Sequence, residues 1–128
     1  MKKILIVEDD IQVGRMYERA FKMRDYEVQV ITDGAAALDV LRKATDLPSV
    51  IALDIVIPKL SGKDLLLEFK KDERLKHIPV VMLTNSVHKE EADRYISLGA
   101  ALYLIKFDHA SKDIVDQIDA LVAPVISS

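Results

Sequence analysis

The chain contains no cysteine and only three histidines, and each scarcity removes a class of chemistry. Without thiols there is no disulfide, no thiolate nucleophile and no sulfur-ligated metal, a composition compatible with a reducing compartment. His77, His88 and His109 lie in polar stretches and read as solvated side chains. No segment approaches the roughly 18 consecutive apolar residues of a membrane helix. Met1, Lys2 and Lys3 begin like a secretion signal, but the apolar stretch that follows, residues 4–7, is cut short by Glu8 and Asp9. Charge of either sign is also not in excess. The 18 Lys and Arg against 21 Asp and Glu leave a formal net charge of −3, which by itself argues for neither a nucleic-acid nor a membrane surface. No Gly-x-Gly-x-x-Gly or Walker-type loop follows a strand-like run, so nucleotide-binding readings are weak. Low-complexity tracts, repeats and linkers are absent, and the expected location is the cytoplasm.

What is present points to one α/β domain. A chain of 128 residues fits a single domain and buries roughly two-thirds of its unfolded surface. Five runs rich in Ile, Val and Leu recur at residues 4–7, 27–31, 50–53, 79–83 and 101–105, separated by longer amphipathic stretches. That alternation predicts βαβ units around a parallel sheet. Most runs lack polar alternation, as strands covered on both faces should. Glu27-Val28-Gln29-Val30 does alternate, and so predicts that the second strand lies at an edge.

Helix signals fill the intervals. Val13, Met16, Tyr17, Ala20 and Phe21 recur at helical spacing behind Asp10, a suitable N-cap. An alanine-rich second helix follows Asp33 and Gly34 and cannot extend through Pro48. Ser61 can cap a third helix through Leu65, Leu66 and Phe69, and the charged stretch 70–77 reads as a solvated turn. A fourth helix, from about Val87 to Ser97, stops at Gly99, and its weak apolar face of Ala92, Tyr95 and Ile96 predicts loose packing. The fifth presents Ile114, Val115, Ile118, Leu121 and Val122 on one face, with Ser111 near its start and Pro124 past its end. Residues 1–124 are expected to form the domain and 125–128 a tail.

In an open α/β sheet the carboxyl ends of the strands form the ligand-binding edge. Glu8 and Asp9 end the first apolar run, Asp54 the third, Thr84 the fourth and Lys106 the fifth. Singly, each has a plain reading: an acid as a helix cap or turn residue, the threonine as a turn hydroxyl, the lysine as a solvated cation. Asp10 keeps the capping reading, since Glu8 and Asp9 lie nearer the strand end. Together the acids repel one another unless a cation offsets the repulsion, which implies a hard divalent ion. Oxygen ligands without Cys or His favour Mg²⁺. With Asp54 as nucleophile, Mg²⁺ shielding charge, and Lys106 and Thr84 meeting the remaining oxygens, the edge is suited to phosphoryl transfer that leaves an acyl phosphate on Asp54. Tyr103, inside an aliphatic strand, reads as a packing aromatic, with a switching role as the alternative.

Ile6-Val7-Glu8-Asp9-Asp10, Asp54 with Pro58 and Gly62 behind it, Thr84 and Lys106 together resemble the response-regulator receiver family in order and spacing, over essentially the whole chain. The resemblance implies a (βα)5 flavodoxin-like, doubly wound parallel sheet with strand order 2-1-3-4-5. It implies that Asp54 accepts a phosphoryl group from a phosphohistidine on a partner histidine kinase or histidine phosphotransfer protein. It further implies Mg²⁺ held by Asp9, Asp54 and the backbone carbonyl of Val56, with Glu8 acting through water, and Thr84 and Tyr103 as a switch pair. The face made by helix four, strand five and helix five would then serve an unknown downstream protein target or a homodimer. Neither nucleic acid nor membrane is an expected direct partner, and no separate substrate is expected, only self-phosphorylation and autodephosphorylation.

The chain departs from the family pattern at four places. Phe107 replaces the usual proline after the lysine, so that either a non-proline cis bond forms, at about 3 kcal/mol, or the loop takes another path. Asn85 is larger than the usual residue after the threonine. Val56 and Ser86 occupy positions that tune the attacking water, and an apolar Val56 predicts a long-lived phosphoryl group. Ile57 replaces the frequent methionine at similar volume. Two alternatives belong to other classes. A haloacid-dehalogenase-like phosphatase would need a second acid two residues after the nucleophile, where Val56 stands. A non-phosphorylated structural pseudo-receiver would be favoured by loss of an acid, the Thr or the Lys, and all are present.

Overall fold

The apolar runs form five parallel strands, and the amphipathic stretches between them form helices. In chain order these are β1 (Lys3–Val7), α1 (Ile11–Lys22), β2 (Glu27–Ile31), α2 (Gly34–Lys43), β3 (Val50–Asp54), α3 (Gly62–Lys71), β4 (Val80–Thr84), α4 (Lys89–Ser97), β5 (Leu102–Ile105) and α5 (Ser111–Val122). The structure, a computed structural model, describes residues 2–85, 89–106 and 111–122. The strands lie in the order β2-β1-β3-β4-β5, all neighbours parallel. This is the flavodoxin-like arrangement expected, with β2 at an edge.

The two-residue period of the strands divides the core in two. Leu5, Val7, Ile51, Leu53, Val80 and Met82 face α2, α3 and Tyr95 of α4. Their neighbours Ile4, Ile6, Val50, Ala52, Val81 and Leu83 face α1 and α5. The first four residues of β3 are therefore fully covered, whereas β2 alternates between exposed and half-buried positions. Each face buries the side chains that sequence periodicity assigned to it: Tyr17 and Phe21 from α1, Leu65, Leu66 and Phe69 from α3, and Ile114, Val115, Ile118 and Val122 from α5.

Three helix starts are fixed by side-chain caps. Asp10 accepts from the Gln12 and Val13 amides, Asp33 from Ala36 and Ser61 from Asp64. Each removes an orphan donor at a helix start.

Several local expectations are corrected. Pro79 precedes β4, where its carbonyl accepts from Ile51 N at 3.0 Å, and Thr84 is the last residue of that strand; proline has no amide to give to a central strand. Met16 and Ile96, assigned to apolar faces, are 43% and 46% exposed. Stretch 70–77 is not simply a solvated turn. Lys70 and Lys71 close α3, and the Asp72 carboxylate accepts from the Arg74 and Leu75 amides, turning the chain so that Leu75 is fully buried. The Lys70 ammonium donates to the Lys76 carbonyl at 3.1 Å, and burial holds its pKa below the ordinary lysine value. A single leucine in a charged run has no periodicity to betray it. Val87, the expected start of α4, and the expected tail, residues 125–128 with Pro124 before it, fall outside the described residues.

The amino-terminal edge of the sheet is tied to α5 by ion pairs. Asp119 accepts from Lys2 Nζ at 2.9 Å, from the Tyr26 hydroxyl at 2.7 Å and from Arg24 Nη1 at 3.4 Å, while Arg24 also pairs with Asp116. Hydrogen bonds from Lys2 and Tyr26 hold the Asp119 carboxyl below the usual carboxylate pKa. A depressed folded pKa gives stability that is present above the unfolded carboxylate value, about 3.9, and is lost as pH falls through the folded value. Asp119→Asn should therefore lower stability at neutral pH and flatten the acid limb below about pH 5, read as the thermal midpoint against pH; an unchanged limb would refute the tie. Leu75→Ala should cost about 2–5 kcal/mol in denaturant unfolding, whereas a solvated turn would lose under about 0.5 kcal/mol.

Candidate functional site

Because the strands are parallel and in register, their carboxyl ends arrive side by side. Val7 pairs with Leu53, Asp54 with Leu83 and Thr84 with Ile105. Glu8, Asp54, Thr84 and Lys106 therefore come to one edge, with Asp9 next to Glu8. The Lys106 ammonium donates to Glu8 Oε1 at 2.5 Å and to Asp54 Oδ2 at 3.0 Å. Carboxylate oxygens of Glu8, Asp9 and Asp54 lie within 4.8 Å of one another. The sequence assigned Lys106 to a future phosphoryl oxygen, and its present partners are the acids themselves.

Burial differs sharply among the three acids. Glu8 is 3% exposed, Asp54 is half-buried and Asp9 open to solvent. Desolvation raises the Glu8 pKa to about 6, although its hydrogen bond and attraction to Lys106 pull the other way. For Lys106, burial opposes the charge, but the hydrogen bonds to Glu8 and Asp54 outweigh it and raise the amine above its ordinary value. The second Glu8 oxygen accepts from the Asp10 amide at 3.2 Å. Asp10 itself is occupied as the cap of α1, as its position in the sequence suggested.

The loop behind Asp54 is fastened at two glycines. Gly62 N donates to the Ile55 carbonyl at 3.0 Å, and a Cβ at residue 62 would come within 2.5 Å of the Asp54 carbonyl oxygen. Gly34 N donates to Pro58 O at 3.1 Å, and a Cβ there would collide with Leu60. Within the loop, Val56 N donates to Asp54 Oδ1 at 3.1 Å while its side chain is 78% exposed. Ile57 is buried and Asn85 is exposed. Ser86, His88, Phe107 and His109 lie outside the described residues. His77 is exposed, as expected.

Thr84 is buried, and Tyr103 is half-buried beside it on β5. The Tyr103 hydroxyl donates to Glu91 Oε2 on α4 at 3.1 Å, and its ring lies 5.7 Å from that of Tyr95, tilted by 31°. Burial first, and the Glu91 hydrogen bond second, push the Tyr103 pKa up to about 12. Sequence reasoning did not find Glu91. An acid in the first turn of a helix suits the helix dipole whatever it touches, so no signal in the chain marked it.

The donor set can be tested for a metal. Three carboxylates whose oxygens converge, without nitrogen or sulfur ligands, fit a hard divalent cation. Among the described residues no helix is long and apolar enough to cross a membrane.

Comparison with known proteins agrees with this geometry. The family model of the response regulator receiver domain matches residues 4–119. A probable methanogenesis regulatory protein, FilR2 of Methanothrix harundinacea, is 38% identical over 109 residues, spanning 80% of this chain and 70% of FilR2. Response regulator Rcp1 of Synechocystis is 34% identical over 112 residues, spanning 82% of this chain and 76% of its own. The Mn²⁺-bound form of Rcp1 superposes with a TM-score of 0.83 at 31% identity, over 94% of this chain and 93% of that one. The phosphorylated cyanobacterial phytochrome response regulator RcpA gives 0.84 at 31% identity, over 95% and 94%. Of the probable transcriptional regulator ycf27 of Cyanophora paradoxa the chain spans only 42%. With the matched region running from β1 into α5 and so containing every residue of the acidic edge, the chain belongs to the response regulator receiver domain family of two-component signalling.

Proposed function

We propose that this domain is a phosphoacceptor in which Asp54 receives a phosphoryl group from a phosphohistidine on a histidine kinase or histidine phosphotransfer protein. The observation that carries this reading is the Lys106 ammonium held 3.0 Å from Asp54 Oδ2 at an edge where two further carboxylates converge. Such a carboxylate is held in place and neighboured by a group able to follow the charge. One Asp54 oxygen attacks phosphorus, and the phosphorus–nitrogen bond of the donor breaks with its electron pair remaining on the imidazole. As the attacking oxygen enters the acyl phosphate it loses its charge, so Lys106 transfers its attraction to the phosphoryl oxygens. The Thr84 hydroxyl meets another of those oxygens.

The cation proposed for the acidic edge is Mg²⁺, held by Asp9, Asp54 and the backbone carbonyl of Val56, with Glu8 acting through water. When bound, it offsets the charge on acids and phosphate together. Val56 offers no proton and cannot orient a water, and its side chain projects into solvent. That disfavours the phosphatase alternative, which needs an acid there, and it supports a long-lived phosphoryl group. Loss of an acid, the threonine or the lysine would have favoured a structural pseudo-receiver, and none is lost. Thr84 and Tyr103 are proposed as the switch pair. The α4-β5-α5 face is proposed as the output surface toward a protein target or a second copy, without direct contact to nucleic acid or membrane.

Treatment with acetyl phosphate and Mg²⁺, followed by intact mass measurement, should add one phosphoryl group to the wild type and none to Asp54→Asn. After donor removal the added mass should decay slowly; loss as fast as in chemotaxis-type regulators would contradict the role given to Val56. Mg²⁺ alone should raise the thermal midpoint, since a ligand at a hundred times its dissociation constant stabilises by about 2.7 kcal/mol. Asp9→Asn should remove most of that gain, and an equal gain in the variant would exclude Asp9 as a ligand.

A further inference from the structure

Gly14 stands inside α1, where glycine weakens a helix relative to alanine because it orders more backbone freedom and packs no side chain. Close packing explains only part of its presence. A Cβ at residue 14 would meet Val30 Cγ1 of β2 at 3.1 Å, a tight contact, but with a half-buried side chain on an edge strand that has room to give. The missing side chain also lines a cleft of about 180 Å³ between α1 and the end of β2. Gly14 and Val30 supply its apolar wall, Ile11, 61% exposed, its rim, and the buried Glu8 its inner end. The cleft shares Glu8 with the acidic edge and no other member of it.

Three further polar groups line this space: Arg15, Glu18 and Thr32. Arg15 is exposed, and its guanidinium has no ion pair or hydrogen bond among the described residues. Glu18 lies three residues on, within reach along the same helix face, yet it pairs instead with Lys22, through Oε2 at 3.0 Å. Lys22 does not line the cleft, so the charge that Glu18 presents there is its own. Thr32 follows β2 and offers a hydroxyl likewise without a partner among the described residues. The Glu8 oxygens are already engaged, by Lys106 and by the Asp10 amide. A bare carboxylate would suit Arg15 but lie against Glu18, and a bare amine would suit Glu18 but lie against Arg15. A zwitterion meets both at once. Guanidinium holds a carboxylate through two parallel hydrogen bonds, and a carboxylate accepts from an ammonium.

From this arrangement we infer that the cleft between α1 and β2 binds a small α-amino acid, its carboxylate on Arg15 and Thr32, its ammonium on Glu18 and a short apolar side chain over Gly14 against Val30. The inference goes beyond the reading of Asp54 as phosphoacceptor and does not depend on it. Size narrows the ligand further. A cavity of about 150 Å³ takes benzene, so this one takes about six to eight non-hydrogen atoms, the range from alanine to valine. Such a ligand gives Gly14 a reason that the helix alone does not, because any Cβ there would occupy the wall on which the ligand rests. Glu8 belongs to both the cleft and the acidic edge. Any effect of the amino acid on Mg²⁺ binding must therefore be matched by an equal effect of Mg²⁺ on the amino acid.

The test is an NMR titration of the full chain with L-alanine, L-valine, propionate, propylamine and L-tryptophan, following the backbone amides of Gly14, Arg15 and Thr32. Alanine and valine should shift these signals saturably. Propionate and propylamine each keep one charge and should bind about tenfold more weakly, the scale of one lost hydrogen bond to a charged group. Tryptophan is too large and should leave the signals in place. Arg15→Gln and Glu18→Gln should each weaken alanine by about the same tenfold factor. Gly14→Ala should abolish valine binding while the thermal midpoint holds or rises, since alanine favours the helix; that pairing separates a filled cleft from a damaged fold. Should Val30 fail to yield and the midpoint fall, the exposed Arg15→Gln, which disturbs no packing, carries the decision. No saturable shift with either amino acid, propionate binding as tightly as alanine, or an alanine affinity unchanged in Arg15→Gln would overturn the inference.

Discussion

One ammonium between two acids is the constraint on which the rest of the edge depends. Bringing strand ends together in a parallel sheet forces Glu8 and Asp54 into proximity whether or not they attract. Lys106 offsets that repulsion by pairing with both, at 2.5 and 3.0 Å. With Asp9 included, the acids outnumber by two the one cation paired with them among the described residues. The site is thus partly neutralised, and the remaining charge is what a divalent ion and a transferred group would share. A fully neutralised edge would have little affinity for either, and a bare one would strain the fold that holds it.

Charge is handled differently at the two ends of the sheet. At the amino-terminal end, Asp119 satisfies Lys2, Tyr26 and Arg24 together, and α5 is drawn onto the strands. These groups have their partners within the domain and are set for stability. At the carboxyl end the groups are shared and incompletely matched, as befits a place where charge must change. The two halves of the core lie on opposite faces of the sheet, where close-packed side chains have few alternative arrangements. Hydrogen bonds at the rim, such as that from Tyr103 to Glu91, can be exchanged without repacking.

Much of this was legible in the chain. Strand number, the edge position of β2 and the caps at Asp10 and Ser61 followed from period, alternation and residue type, signals that are local and repeated, whereas the full strand order came only with the family resemblance. The convergence of Glu8, Asp9, Asp54, Thr84 and Lys106 was legible because parallel topology converts five separate strand ends into one neighbourhood. What escaped were features decided by a single tertiary contact. Leu75 is buried by an Asp72 turn within a charged run. Met16 lies on the apolar side of α1 by spacing but beyond the reach of its neighbours, at 43% exposure. The engagement of Lys106 with Glu8, and of Tyr103 with Glu91, depends on where two helices or strands come to rest, which no sequence window contains.

The two glycines behind Asp54 have a consequence for how such a domain can diversify. Residues 34 and 62 admit no side chain, since any Cβ would strike Leu60 or the Asp54 carbonyl, so these positions are closed to variation while the chain between them keeps its path. Val56, held by its amide and 78% exposed, is open to almost any replacement. Under the role proposed for Val56, selection could retime this molecule by changing a side chain that the architecture ignores, leaving foldability untouched and the clock adjustable.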